Sequence, residues 1–336
     1  MHLVCREQNM NFKNLTSWWI LLFPAILAGQ NLPQMSSVHW DPYIYNPAFG
    51  GITGVTQLTA HFRSQWQGIE GQPQTQMLSA YTPVDMINSA VGIQIWADQI
   101  GRVKSQNFLA TYSYLQELPF GMLSIGIAAG MDRKSFIGSD WRAPDGEYGI
   151  GVISHNDPIL SEEKISGIAP RLDLGLFFSS AFFEVGISSQ NITPFLYIIS
   201  GEGRSQPEGR QLRSYVLHGS YFYDLSESML LVPSLVVKTN GTYTQTEVGA
   251  GVDYLGTLKG GMYLRGYNSS TIDALVLQAG YQFAENAYVY YTFDLGLSGL
   301  RKVHDNSHEI SLRYVIDEPL FKVKREKIIY NPRFID

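Results

Sequence analysis

The sequence sets a histidine close to an acid at His155-Asn156-Asp157, His304-Asp305 and His308-Glu309. Such a pair can serve as a general base for a nucleophile or for water. Neighbours on an extended segment point to opposite sides, so His304-Asp305 and His308-Glu309 are not spaced as dyads. His155 and Asp157 fall in a long predicted loop and read as solvated. Four carboxylates in that loop, Asp140, Asp145, Glu147 and Asp157, are the hard oxygen ligands calcium takes, but their spacing matches no ion-binding loop. The phosphate-binding pattern GxxxxGK[ST] and the zinc pattern HExxH do not occur in the sequence. Gly149-Ile150-Gly151 lacks the third glycine and the helix of a dinucleotide loop. The sequence therefore predicts a non-enzyme with no catalytic, cofactor-binding or metal-binding residues.

The elements that would position such groups are strands. Charged residues make up 16% of the 336 residues, against roughly 25% in soluble domains. Mean hydropathy is nevertheless only -0.06. Gly (32), Tyr (20) and aromatics at 13% are abundant. A chain poor in charge without long apolar runs fits a transmembrane β-barrel, whose strands alternate lipid-facing and lumen-facing residues. A net charge of -6 argues against nucleic acid as a partner.

The N-terminus supplies an address. A short basic start around Lys13 precedes an apolar run over 18–28 and then a polar break. That run is too short to cross a bilayer, which takes about 20 residues, and has the length of a signal-peptide core. Gln30 stands where a lipoprotein would have cysteine, so ordinary cleavage after residue 29 is expected. The only cysteine, Cys5, lies before that site. Disulfides and thiol chemistry are thus not expected after residue 29.

From residue 50 onward the apolar period is two. Val91, Ile93 and Ile95 alternate with Gly92, Gln94 and Trp96, and Leu123, Ile125 and Ile127 with Ser124, Gly126 and Ala128. Alternation marks strands, and Gly, Pro, Asn and Asp mark turns. Fourteen strands are predicted: 54–64, 74–82, 89–98, 105–117, 120–133, 168–179, 181–189, 210–223, 227–240, 242–253, 256–266, 271–283, 286–296 and 307–316. The long connections fall on one side, apart from the tight turn at Gly241. Outer-membrane barrels keep short turns in the periplasm and long loops outside, which places both chain ends on the periplasmic side. The domain plan is a signal peptide (1–29), a periplasmic arm or plug (30–50), the barrel (51–316) and a periplasmic tail (317–336).

The stretch Tyr45-Asn46-Pro47-Ala48-Phe49-Gly50-Gly51, with Phe62-Arg63-Ser64-Gln65-Trp66-Gln67-Gly68-Ile69 after it, resembles the opening of the PorP/SprF family. These are outer-membrane proteins of the type IX secretion and gliding system. Val91-Gly92-Ile93 through Asp98-Gln99-Ile100-Gly101 is similar to the family's next strand and loop. His308-Glu309-Ile310-Ser311-Leu312-Arg313-Tyr314 and Pro332-Arg333-Phe334 are similar to its close. The matches keep the family's order. Asn331 stands where many members have cysteine, so the chemistry of that thiol does not transfer. Residues 134–210 match no family motif.

The resemblance implies a secretion component in the outer membrane of a Gram-negative bacterium. It would contact outer-membrane lipids, periplasmic or cell-wall-linked secretion components and a secreted cell-surface protein. The alternative is a passive pore or small-solute transporter. Tyr45, Asn46, Pro47, Phe49, Phe321, Tyr330, Pro332, Arg333 and Phe334 are the expected docking residues. Arg63, Gln65, Trp66, His308 and Glu309 are expected in the lumen or the interfacial girdle.

Overall fold

In the computed structural model of the chain, the described residues are 33–137, 142, 145–149, 152–154, 164–196, 198–200, 211–267, 271–303 and 305–316. The expected signal segment and the tail 317–336 lie outside them. Fourteen antiparallel strands close into a barrel. They are β1 (Thr56–Ser64), β2 (Gln74–Val84), β3 (Ser89–Ile100), β4 (Val103–Leu118), β5 (Gly121–Ile137), β6 (Lys164–Ser179) and β7 (Phe183–Gln190), then β8 (Ser214–Tyr221), β9 (Met229–Thr239), β10 (Thr244–Tyr254), β11 (Leu258–Tyr267), β12 (Thr271–Ala284), β13 (Ala287–Gly296) and β14 (Ser307–Ile316). Each corresponds to one predicted strand. First and last strands pair, from Thr56 opposite Ile316 to Ser64 opposite His308, so the ring is sealed.

The alternation that predicted the strands sorts residues between two faces. Leu58, Ile93, Ile125, Leu174 and Leu312 point outward and are exposed. Gln57, Gln94, Ser124, Asp173 and Ser311 point inward and are buried. Two strands outrun their predicted limits by four residues each. Lys134 pairs with Gly167 and Ile137 with Lys164, so β5 and β6 extend beyond what a crossing of 9–11 residues needs. Past the bilayer, lipid no longer demands apolar residues on the outer face, and the period fades while pairing continues. The predicted strand 210–223 is interrupted instead. At Phe222 the backbone N–H donates to the Phe182 carbonyl, 2.7 Å away. The chain then rejoins β9 as Tyr223–Ser226, with a bulge after Asp224.

The connections differ sharply between the two ends. At one end they span 65–73, 101–102, 138–163, 191–213, 240–243, 268–270 and 297–306; at the other, 85–88, 119–120, 180–182, 222–228, 255–257 and 285–286. These are the long-loop end and the short-turn end.

Residues 33–50 form an arm inside the barrel. Three 3-10 turns, Ser37–His39, Pro42–Ile44 and Pro47–Phe49, make it compact. Proline opens the second and third, where its fixed φ suits the turn and its missing N–H leaves nothing unpaired. Asn46 caps the third: its Oδ1 accepts from the Ala48 N–H at 3.0 Å. Met35, Val38, Ile44 and Tyr45 pack on Met77, Trp96, Val216 and Val236 of the wall. Tyr43, Ala48 and Phe49 pack on Tyr81 and Phe177.

The arm climbs. At its lower end Ser113, towards the short-turn end of β4, donates to the Gly50 carbonyl at 2.6 Å. At its upper end Lys238, one residue before the long-loop end of β9, donates to Gln34 Oε1 at 3.0 Å. An even strand count does place Thr56 and Ile316 at the same end. The arm, however, folds back up the lumen and carries Pro33 towards the opposite end, because its partners lie along the inner wall.

Candidate functional site

The upper lumen holds a network of buried charges tied to the arm. Arg63 on β1 meets Asp294 on β13 at 2.6 Å and Glu309 on β14 at 3.1 Å. Arg265 on β11 meets Asp294 at 2.7 Å and also pairs with Glu247 on β10. Ser36 of the arm sits among them. Its hydroxyl accepts from Arg63 Nη1 at 3.0 Å and from Arg265 Nη2 at 2.5 Å, and donates to the Asp294 carboxylate at 3.0 Å. One proton and two lone pairs are all a serine hydroxyl has, and each is used. The backbone N–H groups of Ser36 and Ser37 donate to Glu309 at 2.8 and 3.0 Å, and Gln278 Nε2 donates to the Ser36 carbonyl at 2.7 Å. Lys238 lies over the Tyr45 ring, 5.1 Å from its centroid. Buried charges persist only when paired and hydrogen-bonded, so arm and wall stabilise each other.

Two histidines link serines to acids. His39 Nδ1 is 2.8 Å from Ser234 Oγ, and its Nε2 is 2.6 Å from Glu247 Oε1. His61 Nδ1 is 2.7 Å from Ser311 Oγ, and its Nε2 is 3.4 Å from Asp41 Oδ2. Ser–His–acid order is that of an activated nucleophile. Here both serines are buried, and His39 lies flat against Tyr263 with ring centroids 3.7 Å apart. The hydroxyls are enclosed with the arm in place, and the relays fasten it.

Lower down, the arm rests in a notch of lumen-facing glycines. A β-carbon on Gly175 would collide with Asn46 Oδ1, and one on Gly126 with the Ala48 backbone. Asn46 Nδ2 donates to the Leu176 carbonyl of β6 at 3.0 Å. Ser188 and Gln190 on β7 both donate to the Tyr45 carbonyl, at 2.8 and 2.5 Å. Gln94 on β3 donates to the Tyr43 carbonyl at 2.5 Å.

The expected site residues fall in different parts of the structure. Arg63 and Glu309 meet in the lumen. Gln65 and Trp66 sit in the β1–β2 connection; the Gln65 N–H donates to the Pro73 carbonyl at 2.9 Å, and Trp66, at φ +55°, donates its N–H to Ser307 Oγ at 3.1 Å. His308 faces outward, 2.5 Å from the Tyr291 hydroxyl and beside Phe293, opposite to Glu309. Tyr45, Asn46, Pro47 and Phe49 were expected to dock a partner. They are buried against the inner wall, where they hold the arm in the barrel. Phe321, Tyr330, Pro332, Arg333 and Phe334 lie outside the described residues, as do His155, Asp157, Asp140 and His304.

Sequence reasoning did not single out Ser36, Asp41, Glu247, Arg265 or Asp294. Three of them carried a readable mark. Glu247, Arg265 and Asp294 each stand on a strand beside outward apolar residues, Val248, Leu264 and Phe293. Charge at inward register on a lipid-facing strand belongs to the lumen.

The sequence matches the family described as Type IX secretion system membrane protein PorP/SprF over residues 27–314. The CymD monoaromatic hydrocarbon channel superposes with a TM-score of 0.51 at 12% identity, over 87% of this chain and 95% of that one. That likeness is one of barrel fold. The outer membrane protein Omp33 of Acinetobacter baumannii gives 0.44 at 8% identity, over 78% of this chain and 97% of that one. No curated protein matches the chain.

Proposed function

The chain belongs to the PorP/SprF family of type IX secretion system membrane proteins, and from that membership we propose that it acts as a filled platform and not as a conduit. The barrel resides in the outer membrane. Its long-loop end faces the cell exterior and its short-turn end the periplasm, the usual arrangement for such barrels. Loops 138–163 and 191–213 then hold a secreted surface protein. The short-turn end meets periplasmic, cell-wall-linked machinery. The role is one of docking, with no catalytic step.

The observation that carries this reading is the seated arm. Residues 35–39 and 41–50 are buried within the barrel, bonded to β1, β3, β4, β6, β7 and β9–β14. A lumen so filled suits an anchor better than a passage for protein or solute. The test is purified protein in a planar bilayer. Wild type is expected to give no steady conductance, whereas a variant lacking 33–50 that still folds conducts. Crosslinked cells should yield the barrel together with periplasmic secretion components. Steady, porin-like conductance by the wild type would put a passive pore in place of this reading.

A further inference from the structure

The short-turn end has a composition unlike the rest of the surface. Its turn tips are apolar: Met86, Phe120, Phe182 and Leu255 are each between 63% and 70% exposed, on four different turns. Among the described residues its exposed charges are all acidic: Asp85, Glu117, Asp224, Glu227 and Glu285. Among the described residues only two bases lie near this end. Lys259 pairs with Asp253, and Arg313 points into the lumen to donate to the Trp40 carbonyl at 2.5 Å. An acidic rim studded with apolar tips is thus left without a cationic counterpart.

The chain itself supplies one. β14 ends at Ile316, opposite Thr56, at this same rim, and 20 residues follow. Residues 317–336 carry five bases, Lys322, Lys324, Arg325, Lys327 and Arg333, and four acids, Asp317, Glu318, Glu326 and Asp336, with four of the bases gathered in 322–327. Leu320, Phe321, Ile328, Ile329, Tyr330 and Phe334 accompany them. The run 322–327 therefore carries the positive charge that the rim lacks, and the segment carries apolar groups that can cover the rim's tips. Reach is ample. With strands about 4.8 Å apart and tilted by about 40°, a 14-strand barrel is about 28 Å across. Twenty extended residues span at most about 70 Å.

We propose that the acidic, apolar-tipped rim is the docking surface for the chain's own C-terminal segment, residues 317–336. The bases meet Asp224, Glu227 and Glu285, and the aromatic and aliphatic side chains cover the turn tips. This goes beyond the platform reading and does not depend on it. A barrel of any function could carry such a seated tail.

The test uses the full-length protein in an uncharged detergent and chymotrypsin, which cuts after Phe321, Tyr330 and Phe334. Cleavage in the tail is expected to be at least about tenfold slower at 0.1 M salt than at 1 M, because the screening length falls from about 10 Å to about 3 Å. Reversing the rim (Asp224→Lys, Glu227→Lys and Glu285→Lys together) should abolish the protection. Reversing the tail (Lys322→Glu, Lys324→Glu and Lys327→Glu) should do the same. Combining both sets should restore it. Asp224, Glu227 and Glu285 are exposed, and heat-modifiable migration on gels checks that each variant is folded. Equal cleavage of wild type and rim variant overturns the proposal. So does protection that arises only in vesicles of anionic lipid, which would make the membrane surface the tail's partner.

Discussion

The side-chain oxygen of Asn46 occupies the space that a β-carbon on Gly175 would need. The same amide donates to the Leu176 carbonyl at 3.0 Å while its oxygen caps Ala48. Asn46 therefore ties its own turn to the barrel wall, and the wall permits it only because residue 175 lacks a side chain. Gly175→Val should push the arm out of its notch without disturbing the outward face of β6. Overpacking of this kind costs about 1–3 kcal/mol. The expected result is a barrel that still inserts, melts a few degrees lower, and exposes residues 33–50 to added protease. A variant whose arm stays protected would show that the notch does not seat it.

Arg63 anchors the upper network. Replacing it by Ala leaves Asp294 and Glu309 facing each other without their shared cation. Losing one partner of a buried pair costs about 3–5 kcal/mol. Replacing Arg63 and Glu309 together by Met should cost much less than the two single losses summed. Urea unfolding in lipid vesicles measures both. Additive losses would mean that the pair is not coupled in the folded barrel.

The strands could be read from the sequence and the pairings across the lumen could not, for one physical reason. Lipid acts on every outward residue, so Ile125 and Ile127 stand out in a local period of two, and all fourteen strands followed. Inward charge marks Glu247, Arg265 and Asp294 locally, but which groups meet has no local signature. Ser36 meets Asp294 258 residues away, and His39 meets Glu247 208 residues away. Only barrel closure brings them together. Tyr45, Asn46, Pro47 and Phe49 looked like an exposed docking motif because turn chemistry reads alike in solvent and inside a lumen.

That contrast predicts unequal tolerance along β5. Ile127 faces outward and is 39% exposed, whereas Gly126 packs on Ala48. Arginine at Ile127 meets lipid, at a cost of about 2–4 kcal/mol near mid-membrane, and should reduce the folded fraction on refolding into vesicles. Arginine at Gly126 should instead leave insertion largely intact and displace the arm, seen as new protease cuts within 33–50. Equal loss of insertion at both sites would mean that the two faces of β5 are misassigned.

Topology can be settled by labelling. Cys5 is the only cysteine in the sequence, so a Cys5→Ser background can take single reporters. Gly149→Cys places a thiol in the short hairpin of the β5–β6 connection, where residue 149 is exposed. Met86→Cys places one on the β2–β3 turn at the other end, where Met86 is 69% exposed. Both positions lie clear of the packed wall, so neither change should affect folding. A charged maleimide that does not cross the outer membrane should label the Gly149→Cys variant on intact cells. It should label the Met86→Cys variant only after the membrane is breached. Labelling in the opposite order would invert the barrel. The acidic short-turn rim would then face the medium, where cell-wall-linked machinery has no access to it.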